Sequence, residues 1–264
     1  MHIPRVRARS ARPTAVTGRA GTMLPLRGVL FGLFQGAAAG VLAGSGKPRP
    51  GHESAAWWPL TATATNLVNL VLLGRRTREV GGSVRDYYVP TDVRRNLPVA
   101  LGLTVLGGAL AAGPNLGLAK ALWGDPQKAL DLFVRPLPAW AARTAVAAFP
   151  LSTALAELPT YYGYAQPRLA AAGHAPATVV LLPAVAHSLQ HATLPVRADA
   201  RFVTWRALMF LPFALLVSEA IRRRPALLPY FVVVHLLLDL QAAVSVQLAS
   251  RAQAETSSSH PSRR

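Results

Sequence analysis

The stretch Pro225-Ala-Leu-Leu-Pro-Tyr-Phe-Val-Val-Val-His-Leu-Leu-Leu-Asp-Leu-Gln-Ala-Ala-Val-Ser-Val-Gln-Leu-Ala249 is apolar except for one histidine, one aspartate and a few small polar side chains. A helix rises about 1.5 Å per residue, and a hydrocarbon core of roughly 30 Å takes about 20 residues to cross, so residues 225–249 have the length of a membrane span. Working outward, similar runs lie near 24–44, 55–73, 97–123, 138–158, 175–195 and 202–221. The chain is therefore predicted to be all-α, a polytopic transmembrane helix bundle of seven helices. The count becomes eight if the third run divides at Ala111-Ala-Gly-Pro-Asn-Leu-Gly117.

Composition agrees with that reading. Of 264 residues 52% are hydrophobic and only 15% charged, too little charge to cover a soluble domain of this size. The expected organisation is a basic disordered tail over 1–22, a transmembrane helical domain over 23–249 and a disordered tail over 250–264. The net charge of +17 is the kind of excess that nucleic-acid binders carry, but here the arginines lie between apolar runs and in the tails. That placement argues against a nucleic-acid partner and for the lipid bilayer. Arg5, Arg7, Arg9, Arg12 and Arg19 precede the first run, and Arg75, Arg76, Arg78, Arg85, Arg94 and Arg95 follow the second. By the positive-inside rule both segments face the cytoplasm, which predicts a multi-pass protein of the cell membrane with a cytoplasmic amino terminus. The side of the carboxyl terminus stays open. With no cysteine, disulfides, thiolate catalysis and cysteine-bound zinc are excluded.

An ionisable group in the hydrocarbon core costs several kcal/mol on insertion scales, so each one in an apolar run marks helix packing or function. Of eleven acidic residues only Glu157, Glu219 and Asp239 fall in or at the ends of such runs, and of seven histidines only His187, His191 and His235. His235 and Asp239 are four apart and project from one helix face, as do His187 and His191. A carboxylate among histidines in a dry interior can activate water as a general base, while imidazole N–H groups stabilise an oxyanion. The same groups could equally hold helices together by hydrogen bonds. Glu219 precedes Arg222 and Arg223 at ion-pair spacing. Tyr161, Tyr162 and Tyr164 cluster where a helix is expected to leave the membrane, as in an aromatic belt.

Glu157-Leu-Pro-Thr-Tyr-Tyr-Gly-Tyr-Ala-Gln-Pro-Arg-Leu169 resembles the first motif of the CPBP family, the CAAX-processing and bacteriocin-processing intramembrane proteases also called Abi proteins. Glu157 takes the place of the glutamate that activates water in that family. Leu158 replaces a second glutamate, and Tyr162 replaces an arginine. The family's second motif ends in a histidine followed by a short apolar-proline stretch, which His191-Ala-Thr-Leu-Pro195 fits, with His187 the competing choice. His235 and Asp239 match the third motif, a histidine followed four residues later by Asn or Asp. The similarity covers residues 135–246.

The resemblance implies an intramembrane endopeptidase of the CAAX prenyl endopeptidase type, with a membrane-associated protein or peptide as substrate. Glu157 and His191 would activate the water, and His235 with Asp239 would hold the oxyanion. No cofactor is implied with certainty; a divalent metal such as zinc would be held by residues among Glu157, His187, His191 and His235. The Leu158 and Tyr162 departures keep open a pseudoprotease that binds membrane peptides without cutting them. A small proton-coupled transporter is a third reading, one that internal repeats would favour, and none is found.

Overall fold

The computed structural model of the chain describes residues 13–259, and every regular element among them is helical. In order these are α1 (Pro13–Gly44), α2 (Pro50–Ser54), α3 (Trp58–Glu79), α4 (Val93–Trp123), α5 (Pro126–Phe133), α6 (Ala139–Leu158), α7 (Gln166–Ala171), α8 (Pro176–Leu189), α9 (Ala200–Leu208), α10 (Leu211–Arg223) and α11 (Leu228–Ser259). Local chemistry sets the boundaries. Proline at the first turn opens α2, α5 and α8, where its missing N–H costs nothing. The carboxylates of Asp125 and Asp199 accept backbone N–H groups at the starts of α5 and α9. Gly124, at φ 76°, ends α4 in the left-handed conformation that a side chain disfavours.

Among the described residues four helical stretches are long and apolar enough to cross a membrane: Gly21–Gly44, Val93–Trp123, Ala200–Arg223 (α9 with α10) and Pro225–Thr256. Their outward faces carry exposed Val29, Leu33, Leu101, Val105, Val233 and Leu237, an apolar surface suited to lipid. The runs at 55–73, 138–158 and 175–195 also form helices but fall short of that standard. α3 exchanges apolar side chains for hydrogen bonds to α6 and the turn after it: Asn66 donates to Ser152 and Thr153, and Asn69 donates to Thr160. α8 has only 14 residues before the chain tightens into a 3₁₀ turn over Gln190–Thr193.

The third run does not divide. Pro114 lies inside a continuous α4, and the chain turns only after Trp123. The two expected tails are partly helical as well: α1 already includes residues 13–22, and α11 runs on through 250–259. Once an apolar segment has nucleated a helix, adding strong formers such as those of Arg251-Ala-Gln-Ala-Glu255 costs little. Residues 1–12 and 260–264 lie outside the described part of the chain.

Contacts between distant segments sort the connections onto two ends of the bundle. At one end the π-helical turn Pro159–Ala165 meets the 3₁₀ segment Val84–Tyr87 and the start of α11, so closely that a Cβ on Gly163 would lie 2.9 Å from the Tyr87 ring and 3.0 Å from Leu228. Glu219 pairs with Arg222 and Arg223 at this end, as its spacing suggested. At the other end Gln35 holds the backbone of Val196 in both directions, at 2.8 and 2.7 Å, and Ser250 accepts the Leu137 N–H at 2.9 Å. The tyrosine cluster is no surface belt. Tyr161, Tyr162 and Tyr164 are fully buried, because the π-turn keeps the chain inside the bundle beyond α6.

Candidate active site

Glu157 stands one residue before the end of α6, in the helix that packs between α3 and α11. Its side chain is 2% exposed, and a buried carboxylate needs partners for both oxygens. Oε2 lies 2.6 Å from Nη2 of Arg27 in α1, and Oε1 lies 2.8 Å from Nε2 of His187 in α8 and 2.8 Å from Nε2 of His235 in α11. Four helices thus meet on one carboxylate.

Arg27 is wholly buried and fixed on all sides. Its Nε donates to Gln190 Oε1 at 2.7 Å and its Nη1 to Asn66 Oδ1 at 2.6 Å, while Tyr161 also donates its hydroxyl to Gln190, at 3.0 Å. The planar fork of the guanidinium matches three acceptors at once, from α3, α6 and the turn after α8. It holds Oε2 and leaves Oε1 as the oxygen turned toward the histidines.

His187 Nδ1 lies 2.8 Å from the Tyr162 hydroxyl. The tautomer with its proton on Nε2 satisfies both neighbours: Nε2–H donates to Glu157, and Nδ1 accepts from Tyr162. The longer contact of Tyr162 with the Ala214 carbonyl, 3.2 Å, then has no proton to share. Tyr162 thus reaches Glu157 only by way of the histidine.

His235 is close to its neighbours without being bonded to them. Its Nε2 is 3.5 Å from Asp239 Oδ2 as well as 2.8 Å from Glu157, yet neither ring nitrogen, nor Oδ2 of Asp239, has a hydrogen bond of acceptable direction. Crowded, unaligned donor atoms of this kind suit a cation. Glu157, His187 and His235 each offer a ligand atom, all within 4.8 Å of one another, and a tetrahedral zinc with bonds of 2.0–2.1 Å would set its ligand atoms about 3.3 Å apart. The donor set therefore fits a divalent metal after small shifts, although Arg27 places a positive charge on the far side of the same carboxylate.

His191, expected as the partner of Glu157, does not fill that position. Its Nδ1 is bonded back to the carbonyls of His187 and Ser188 at 3.0 and 3.3 Å, and its ring lies 4.4 Å from that of Phe210. No hydrogen bond or ion pair joins it to Glu157 among the described residues. The cause is local: α8 stops at Leu189, and the 3₁₀ turn that follows, with fewer residues per turn, swings His191 off the line of His187. His187 and His191 still adjoin, with ring centres 5.6 Å apart.

Sequence reasoning missed Arg27, Asn66 and Gln190. Arg27 alone carried a signal, as the one charged side chain of the 24–44 run, and the cost argument applied to carboxylates and histidines applies to it equally. It pairs with Glu157 at 2.6 Å. No protein-family model, curated protein or solved structure matches the chain.

Proposed function

We propose that this protein is an intramembrane peptidase of the CPBP type, cutting a peptide bond in a membrane-associated substrate with water activated at Glu157. The observation that carries the reading is the meeting of Glu157 Oε1 with Nε2 of His187 and of His235, each at 2.8 Å, in a buried interior reached from three helices. Glu157 Oε1 takes a proton from water as the water oxygen attacks the scissile carbonyl carbon. The C–N bond then breaks, and the same proton passes to the leaving amine. Arg27 keeps the carboxylate charged and oriented, and Tyr162 keeps the His187 proton on the nitrogen facing the site. The Nε2–H of His235, which meets Glu157 at 2.8 Å and Asp239 at 3.5 Å without an aligned hydrogen bond to either, is available to the oxyanion. If a divalent ion were held by Glu157, His187 and His235, the His187 proton would sit on Nδ1 and Tyr162 would donate to the Ala214 carbonyl, and the ion would supply Lewis-acid polarisation at the same place.

Purified protein offered a fluorogenic membrane peptide tests the assignment of roles. His187→Ala is expected to abolish cleavage, and His191→Ala to leave at least a tenth of it. The reverse ranking would return the partner role to His191.

The second reading, a pseudoprotease that binds membrane peptides, draws on the Arg27–Glu157 pair and on Leu158, which is buried in the apolar core. An ion pair this short ties Oε2 to the guanidinium and holds the carboxylate in place.

The accompanying topology has seven spans, an inside amino terminus and an outside carboxyl terminus. It is supported by the arginine-rich segments 75–95 and 222–224 sharing one end of the bundle, while residue 250 lies at the other. Reporter fusions at residues 85 and 224 should read cytoplasmic, and fusions at 50 and 259 external. A cytoplasmic reading at 50 or an external one at 85 would overturn it.

A further inference from the structure

The end of the bundle opposite the arginine-rich loops holds two cavities, of about 530 and 570 Å³, lined by different residues of the 51–57 segment. The first has a floor of small residues, Gly32, Gly36 and Ala39 of α1, and a rim that includes His52 and Arg197. Arg135 lines the second cavity and reaches toward the first, donating to the His52 carbonyl and approaching its Nδ1.

The charge on this rim is not balanced. Arg197 gives one N–H to the Leu132 carbonyl at 3.2 Å, but its Nε is buried with no acceptor. Among the described residues no carboxylate is in ion-pair contact with Arg135 or Arg197. Asp199, also on the rim, spends an oxygen capping α9, and Glu53 lies 4.0 Å from Lys47. Arg135 first, then burial, Arg197 and Arg49 hold the His52 imidazole below its ordinary range, with Glu53 opposing them. The floor is different in kind: apart from Gln35, whose amide is tied to the Val196 backbone, it has no side chain beyond Cβ, and it adjoins the α1 face where Val29 and Leu33 are exposed. A basic rim above an apolar trough fits an amphiphile with an anionic head, whereas a free anion would leave the trough empty.

We propose that this site binds an anionic phospholipid, its phosphate against Arg197, Arg135 and His52 and an acyl chain along Gly32, Gly36 and Ala39. The proposal is independent of the peptidase reading. Arginine forks suit phosphate oxygens, and an acceptor there satisfies the orphaned Nε of Arg197.

The test is titration of the full chain in neutral detergent with phosphatidylglycerol, phosphatidylcholine or inorganic phosphate, bound lipid being read by native mass spectrometry. Phosphatidylglycerol is expected to be retained over phosphatidylcholine. Arg135→Gln with Arg197→Gln should weaken it by about tenfold or more, as two lost surface charges do near anionic lipid. Lys128→Gln, a charge lost outside both cavities, should leave binding unchanged. Gly36→Leu is the decisive variant, because a Cβ at Gly36 meets nothing within 4 Å and the added side chain can fill the trough with every charge left in place. It should expel the lipid even if the arginine variant fails to fold. Equal retention of the two lipids, or Gly36→Leu binding phosphatidylglycerol like the wild type, would overturn the proposal. Displacement of the lipid by millimolar phosphate would overturn it too, reassigning the rim to a free anion.

Discussion

Glu157→Gln is expected to lower cleavage of a membrane peptide by about 10²–10⁴-fold, the range lost with a general acid–base group. The amide keeps the size of the side chain and one acceptor oxygen but cannot take the water proton. The substitution also reaches beyond catalysis, because Glu157 neutralises Arg27 at 2.6 Å inside the bundle. Stability and activity therefore fall together in the single variant. They are separated by adding Arg27→Gln, which leaves the pair electroneutral: the double variant should recover stability and remain inactive. The assay is run with and without a strong chelator. Cleavage that survives Glu157→Gln would remove the basis of the mechanism, and cleavage abolished by the chelator would give the metal form of the site precedence.

The second large effect is on stability. Arg27→Met leaves the Glu157 carboxylate buried with its strongest partner gone, and breaking a buried pair from one side costs about 3–5 kcal/mol. Asn66 Oδ1 and Gln190 Oε1 lose donors in the same step. Unfolding in mixed micelles should show that loss, together with a coupling of about 2 kcal/mol between Arg27→Met and Glu157→Gln in a double-mutant cycle. Losses that simply add, within about 0.5 kcal/mol, would mean that the two side chains do not depend on each other. In either outcome Arg27→Lys is informative, since a lysine cannot reach three acceptors in one plane.

Helix content and the polar pairs were legible along the chain because they are local properties. Apolar length, proline at a first turn and a glycine at positive φ are each read within a few residues. The spacing of His235 and Asp239 likewise puts both on one face of whatever helix carries them. The number of runs fit to face lipid was less legible, because α3 and α6 bury their asparagines, serines and threonines against each other, and a hydropathy window does not register a partner. Which of His187 and His191 contacts Glu157 depends on where α8 tightens into a 3₁₀ turn, a shift of a fraction of a turn that no motif spacing resolves. Arg27 and Glu157 are 130 residues apart. Each advertises itself as a costly charge in an apolar run, but their pairing depends on the rotation and depth at which α1 and α6 pack, and those follow from side-chain fit across the whole bundle.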